Sequence, residues 1–457
     1  MKLDFSSDRG VRPVRRNFIL RAGLVVILIL ITGRSEAVTL EECIHEALRR
    51  NPSANAAALR VDAARAMIAE ADSAYFPQLS VAGGYVVTDN PTQAFMMQLN
   101  QRQLDMRAPA FDPNTPGRTD NTRLSAELKY RVYDFGQRRI LSESAALGAD
   151  AAALQLAGVR NELIYQIIHG YFVVLQARDY VDVQQEAVGS LEESLQVAEG
   201  KFKAGTAIKT DVLNLEVNLV QAREDLIRAR NSVDLAIVAL NTGIGYDFVT
   251  RENLPAPAQS VPPPPVLEQG FNAIENRPEL QAVRKIAQIK KGGYLQAKRQ
   301  NLPVLNAYGS YDLDSGNLES YEGSYTVGLK AEWDIFTGFR NSGATRKAEA
   351  EWRAARQEEE RVRNALKQDL QSAQIQASES WQRLETIRKS VENAAESLRI
   401  TQVRYREGVA GITDLLTAQL GLTAMRSRNV AALYDHAAAV SNLKRARGEL
   451  YTLYSVP

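Results

Sequence analysis

Two aspartates recur at the same place in a repeated motif, and a carboxylate at that place could do one of two things. Asp211 and Asp414 each lie six residues after a glycine, Gly205 and Gly408 respectively. At the start of a helix, a carboxylate satisfies free backbone N–H groups and complements the helix dipole. Several copies gathered around a narrow axis would instead repel one another and attract cations. Both roles stay open for Asp211, and the second is favoured for Asp414.

The other reactive residue types give little sign of catalysis. The three histidines, His45, His169 and His436, are scattered without the spacing of a metal site, and the single cysteine, Cys43, excludes an internal disulfide framework. No HExxH, Cys-x-x-Cys, phosphate-loop or dinucleotide motif occurs. The sequence therefore predicts no enzyme, no metal and no cofactor. The net charge of +1 argues against nucleic acid as a partner.

The two aspartates belong to a duplication that covers most of the chain. Residues 202–213 reappear in altered form as residues 405–416, a shift of 203. The same shift carries Gly245 to Gly448. A constant offset over such a length indicates one long unit that is present twice. We predict repeats at 38–248 and 266–457, each with a helix, a β-hairpin and a long helical hairpin.

The segments outside the repeats have distinct compositions. Basic residues, an apolar stretch at 18–31 and the small residues Ser35 and Ala37 predict a signal peptide at 1–37. A proline-rich stretch predicts an extended linker at 249–265. No later apolar run approaches the roughly 20 residues of a membrane-spanning helix.

Each repeat opens with a helix and then changes to strands. Thr39 and Glu42 form a capping-box pattern that predicts a helix over 39–72. Four stretches that alternate with a period of two predict strands, at 78–88, 123–133, 304–314 and 325–335. The first repeat carries extra residues in 88–122, whose Pro, Asn, Gln and Asp content predicts a loop.

The strands alternate apolar and charged side chains, with aromatic residues at the ends that adjoin the helices. An ordinary half-buried sheet would show the same alternation. The long helices are polar, however, and offer no apolar layer for such a sheet, so the pattern favours a transmembrane barrel. Four strands cannot close a barrel, and lipid does not tolerate open edges. We therefore expect copies to pool strands, and the charged inner face favours three copies over two.

The helices after the strands are long. Residues 136–202 and 341–405 contain no proline, and about 65 helical residues span about 100 Å. Glycine-containing turns then lead into return helices over 211–241 and 413–453. Narrow apolar stripes on such helices are typical of coiled coils. Two alternatives follow: a periplasmic or surface coiled-coil structural protein without a pore, and an adaptor protein with a helical hairpin.

Over nearly the whole mature chain, these motifs resemble the TolC family of outer-membrane efflux and secretion channels. The resemblance rests on Asn51 and Pro52 in the opening helix, on the strand-exit motifs at 132–136 and 335–338, and above all on an aromatic-x-x-Gly-x5-Asp turn. That turn occurs twice, as Phe202, Gly205 and Asp211 and as Tyr405, Gly408 and Asp414.

The resemblance implies a mainly α fold with a membrane β-barrel, in which a homotrimer pools four strands per chain and extends a helical tunnel across the periplasm. It implies a passive exit duct in the outer membrane of a Gram-negative bacterium, serving a tripartite efflux pump or a type I secretion system. The implied partners are outer-membrane lipid, a periplasmic adaptor (membrane fusion) protein and an inner-membrane transporter. Drugs, metals, polysaccharides and proteins all stay open as cargo.

The resemblance also assigns roles to residues around the turns. The tips that contact the adaptor would include Phe202, Gly205 and Gly408. The periplasmic entrance or gate would include Asp414, Thr417, Asp211 and Tyr405. The family often has a second acidic residue where this chain has Thr417, and its latch uses an arginine where this chain has Ala410. We therefore expect a weaker acidic ring and an incomplete latch.

Overall fold

The computed structural model describes residues 37–107, 112, 114–254, 263 and 272–454. Apart from Ala37, the predicted signal peptide lies outside these residues, and so does most of the predicted linker beyond Leu254. All described residues belong to one structural unit.

The helices and strands follow largely the same order in the two halves. In the first half they are α1 (Leu40–Arg50), α2 (Pro52–Asp72), a 3-10 turn (Ser73–Tyr75), β1 (Gln78–Thr88), α3 (Pro91–Asn100), β2 (Thr119–Tyr133), α4 (Gln137–Lys203) and α5 (Lys209–Ile244). In the second half they are α6 (Asn272–Glu275), α7 (Pro278–Arg299), β3 (Val304–Ser315), β4 (Glu322–Glu332), α8 (Arg340–Arg406), α9 (Ile412–Arg447) and α10 (Leu450–Tyr454). Helices α8 and α9 have the lengths of α4 and α5 and begin 203 residues later, at 340 against 137 and at 412 against 209.

The opening helix, predicted as one element over 39–72, is two helices. Its predicted capping box is present: Thr39 N–H donates to Glu42 Oε2 at 2.8 Å, and Glu42 N–H donates to Thr39 Oγ1 at 3.3 Å. The helix ends at Asn51, whose ψ of 125° is extended, because a following proline disfavours the helical conformation. Asn51 Oδ1 then caps α2 by accepting from Ser53 N–H at 2.8 Å.

The two predicted hairpins join into one antiparallel sheet in the order β1-β2-β3-β4. Strand β2 pairs with β3 from the other half, with Arg123 opposite Asp314. One face of the sheet carries charged residues, and Arg123 Nε lies 2.8 Å from Asp314 Oδ1. The other face is apolar and open to solvent in the single chain; Tyr325 and Val327 on β4 are each 79% exposed. A sheet with one exposed apolar face and one charged face suits a boundary between lipid and water.

The segment 88–122, predicted to be a loop, is partly helical. Helix α3 begins with Pro91 at its first position, and Asn90 Oδ1 caps it by accepting from Gln93 N–H at 3.2 Å. An Asn-Pro pair favours a helix start as well as a turn, which is why composition alone misled. Strand β2 also begins earlier than predicted, at Thr119. Helix α3 packs against β2.

The long helices pack side by side in two overlapping sets. Towards the hairpin tips the order is α5, α4, α9, α8, and towards the sheet it is α2, α4, α7, α8. Ile164, Leu175 and Leu240 are among the fully buried residues where α4, α5 and α1 meet. Helix α8 therefore forms one edge of both sets. The opposite edge is α5 in the set towards the tips and α2 in the set towards the sheet. Within the described residues, none of the helices combines the length and the apolar composition that crossing a membrane requires.

Candidate functional site

The turns that end α4 and α8 have the same backbone geometry. Gly205 and Gly408 both have φ of +76°, in the left-handed region that favours glycine. Both turns form the same two backbone hydrogen bonds: Gly205 N–H to Phe202 O (3.0 Å) and Thr206 N–H to Lys201 O (2.9 Å), then Gly408 N–H to Tyr405 O (3.1 Å) and Val409 N–H to Arg404 O (2.8 Å). These bonds define a Schellman motif. A Cβ added at either glycine would meet no atom within 4 Å, so conformation and not crowding requires glycine there.

The two tips of one chain are joined side by side. The Lys201 ammonium donates to the carbonyl oxygen of Tyr405 and lies 4.6 Å from the centre of the Tyr405 ring. Arg406 Nη2 lies 2.9 Å from Glu193 Oε1. Behind the turns, apolar side chains of α4, α5, α8 and α9 form a buried cluster that includes Leu215. These contacts hold the two tips of one chain against each other.

Tyr405, predicted at the gate, is buried within this cluster. It is 6% exposed, and its hydroxyl has no hydrogen-bond partner in the described chain. Burial raises the pKa of Tyr405, and the negative charge of Asp211 raises it further. The fold thus brings Tyr405 and Asp211 together, while Ala410 packs partly buried against the same cluster. Because alanine has no side-chain donor, Ala410 adds neither a hydrogen bond nor a positive charge beside Tyr405 and Asp211.

Asp414 and Thr417 are exposed on the first turns of α9. Asp414 Oδ2 accepts from Gly411 N–H at 3.2 Å, so within a single chain Asp414 stabilises the start of its own helix. Thr417 Oγ1 donates to Thr413 O at 2.7 Å and adds no charge. A role for Asp414 at an axis shared between copies is compatible with its exposure and stays a prediction.

Helix α5 has two apolar faces, which the sequence interpretation did not separate. One face packs within the chain and includes the buried Leu215 and Leu219. On the opposite face, large apolar residues are 45–71% exposed: Leu213, Val217, Val220, Ile227, Leu235 and Val238. Their spacings of three, four, seven and eight residues are those of a coiled-coil seam. We call these six residues the α5 stripe; an exposed apolar patch of this kind marks a contact surface.

The cysteine and the histidines have structural surroundings. Cys43 is fully buried, and burial, with a smaller contribution from Glu42, raises the pKa of its thiol to about 12. His436 is also fully buried, with its Nδ1 3.0 Å from Ser380 Oγ. In the part of the chain that the structure describes, no three His, Cys, Asp or Glu side chains lie together as a metal site would require.

A sheet with an exposed apolar face, joined to paired helical hairpins with glycine tips, is the architecture expected of an exit channel of the outer membrane. A family profile described as outer membrane efflux protein matches residues 43–246 and 271–449. The chain belongs to this family.

Individual relatives agree with the family assignment. The outer membrane protein TolC of Vibrio cholerae is 22% identical over 427 residues, which are 91% of each chain. Alkaline protease secretion protein AprF of Pseudomonas aeruginosa is 26% identical over 301 residues, 64% of this chain and 62% of that protein, so this match spans less than two thirds of that relative. In fold, the crystal structure of the outer membrane protein VceC from Vibrio cholerae has a TM-score of 0.74 at 19% identity, covering 90% of this chain and 96% of that chain.

The comparisons confirm the resemblance to the TolC family and the mainly α fold class with its antiparallel strands. The chain is a channel component of efflux or secretion systems and is located in the outer membrane. The proteins of this family are channels and not enzymes.

Proposed function

We propose that three copies of this chain assemble into a passive exit duct across the periplasm and the outer membrane. The duct would receive cargo from a tripartite efflux pump or a type I secretion system, with energy supplied by an inner-membrane transporter and with no catalysis of its own. The observation that carries this proposal is that the sheet and the helical layer both have open edges.

The sheet edges favour closure between copies. In the described chain, β1 pairs only with β2, and β4 pairs only with β3. In lipid each unpaired backbone group costs several kcal/mol, so an open edge is not tolerated there. Pairing of β4 in one copy with β1 in the next removes every edge. Three copies would give about twelve strands, wide enough for water to reach the charged face.

The helical layer has matching edges. Helix α5 with its stripe lies at one side of the tip set and α8 at the other. Helix α8 also exposes apolar residues, including Ile375, Ile400 and Val403. A head-to-tail contact of α5 with α8 of the next copy, repeated around a threefold axis, closes a ring. The same rotation that closes the sheet would therefore bury the α5 stripe.

The tips supply the surface proposed for the periplasmic adaptor. Phe202 and Ile208 in the first turn and Val409 in the second are apolar and exposed. Exposed apolar residues beside a rigid turn are typical of protein contact surfaces. A helical hairpin of the adaptor would fit against these tips.

The subunit count can be tested directly by native mass spectrometry of the detergent-solubilised protein. We expect trimers to dominate. A stable monomer or dimer under conditions that preserve the fold would contradict the proposal.

Asp414 provides a prediction for the entrance of the duct. Replacement by Asn removes the charge but keeps an oxygen that can accept from Gly411 N–H, whereas Asp414→Ala removes both. We expect both variants to weaken cation block of the channel in planar bilayers by about 100-fold, because each carboxylate within ~4 Å of a cation contributes about 1 kcal/mol in water and three would together contribute about 3 kcal/mol. Glu407→Ala, which removes an exposed carboxylate from the same turn but not from α9, is the matched control and should block like the wild type.

Two outcomes of this experiment would separate the roles of Asp414. If cation block is unchanged in Asp414→Asn and in Asp414→Ala, Asp414 does not line the constriction. If only Asp414→Ala alters the channel, the residue acts as a helix cap and not through its charge.

A further inference from the structure

The extra segment of the first half folds over the charged face of the sheet, at the end away from the long helices. Gln101, just after α3, is 5% exposed. Its Nε2 donates to Asp120 O at 2.8 Å and to Asn121 Oδ1 at 2.9 Å. Asn121 Nδ2 in turn donates to Asp314 Oδ1 at 2.5 Å, and Asp314 also pairs with Arg123. Asn121, Arg123 and Asp314 lie on the charged face, so the segment covers that face and not the apolar one.

The segment reaches across the sheet to its far strand. Arg102 Nη1 lies 3.1 Å from Glu322 Oε2 at the start of β4. The preceding residue, Gln101, also lies close to Gly316: a Cβ on Gly316 would lie 2.7 Å from Gln101 Oε1. The segment therefore packs directly on the turn between β3 and β4. Arg102 has φ of +53°, an uncommon conformation for a residue other than glycine. Contacts with β2, with β4 and with the turn between β3 and β4 therefore hold a defined conformation, which a freely moving loop would not keep.

Helix α3 presents an apolar face away from the sheet. Ala94 is fully buried, and Gln98 Nε2 lies 3.5 Å from Thr119 Oγ1, so these positions and Gln101 face the sheet. At about 100° per residue, positions 96 and 99 lie on the opposite side of the helix. Met96 and Leu99 are both exposed there, at 52% and 46%.

We propose that α3 is a lid at the extracellular mouth, and that Met96 and Leu99 from three copies meet near the axis as an apolar constriction. The proposal rests on the trimeric duct proposed above, whose charged face lines the lumen. Methionine and leucine facing a wet lumen would be unfavourable in isolation, but the same residues of two further copies can cover them. An apolar constriction limits the passage of ions by excluding water. The hydrogen-bonded residues Gln101, Asn121 and Asp314, which we call the lid anchor, keep the lid in place.

Two variants test the lid through proximity and permeation. In Leu99→Cys, the introduced thiol is accessible because position 99 is exposed, and the buried Cys43 should not compete for the reagent. A short bis-maleimide should then cross-link neighbouring copies within the trimer. In Leu99→Asp, a charge at the constriction should admit water and raise single-channel conductance by about twofold or more. Leu318, exposed in the turn between β3 and β4 and outside α3, supplies matched controls. Leu318→Cys should not cross-link, and Leu318→Asp should conduct like the wild type.

A third variant opens the lid without adding charge. Gly316→Val places side-chain atoms where Gln101 lies and should displace the lid anchor. The single-channel conductance of this variant should therefore rise as well. Absent cross-linking of Leu99→Cys trimers would overturn the constriction. Cross-linking together with unchanged conductance in both Leu99→Asp and Gly316→Val would overturn the role in permeation. If neither wild-type nor Gly316→Val trimers conduct, the proposed duct fails and not the lid alone.

Discussion

Glutamates introduced into the α5 stripe, as Val217→Glu together with Ile227→Glu, are expected to abolish trimers and export. Both positions are exposed in the single chain, so each protomer should still fold. In the trimer they would be buried against α8 of the next copy. An uncompensated buried charge costs about 3 kcal/mol or more, so two per interface should weaken each contact roughly 10⁴-fold. Native mass spectrometry measures the trimer, and an export assay in cells measures the function.

The control for this variant lies on the same helix. Asn214 is exposed but lies about 100° around the helix from the stripe. Asn214→Glu adds a glutamate off the stripe and should leave trimers and export intact, whereas each glutamate of the double variant lies on the stripe. Trimers of normal stability in the double variant would show that α5 does not form the contact between copies.

Proline at either tip glycine, as Gly205→Pro or Gly408→Pro, is expected to abolish export while trimers persist. Proline fixes φ near −65° and cannot adopt the +76° observed at both positions. It also lacks the N–H that each glycine donates to the aromatic residue three positions earlier. The turn must then change shape, which should displace the exposed residues proposed to contact the adaptor. Losing a central anchor residue from a protein interface typically costs about 2 kcal/mol or more, which weakens binding roughly 30-fold.

Asparagine provides the matched control at each glycine. It tolerates the left-handed conformation and keeps the N–H, so Gly205→Asn and Gly408→Asn should export nearly as well as the wild type. Cross-linking to the adaptor in intact cells would report the contact itself. Loss of trimers in the proline variants would make these turns purely structural, and unimpaired export would remove them from the docking surface.

The sequence predicted the long helices well because their signals are local. The helix predicted over 136–202 is α4 at Gln137–Lys203, and the glycine-containing turn predicted after it is present at Gly205. The absence of proline within a helix and the presence of glycine just after its end are local signals, so no distant contact was needed to interpret them. The break at Asn51 was not predicted, although the proline that causes it, Pro52, directly follows in the sequence.

Features that depend on distant contacts were not predictable in the same way. The Gln101 amide donates a hydrogen bond to Asn121, and Asn121 donates one to Asp314, which is 193 residues away in the sequence. The pairing of β2 with β3, which merges two hairpins into one sheet, is likewise a contact between the two halves. The role of Asp414 could not be predicted for a different reason. Whether it acts as a helix cap or as part of an acidic ring depends on contacts between copies of the chain, which the sequence of one copy does not specify.

Single-channel recording of the purified, detergent-solubilised trimer in planar lipid bilayers tests the central claim most directly. The account predicts discrete, stepwise conductance, because three sheets close around a water-filled lumen that continues between the long helices. Trimers that insert into the bilayer and yet conduct no ions, in the wild type and in Gly316→Val alike, would contradict the duct and favour a coiled-coil structural protein without a pore.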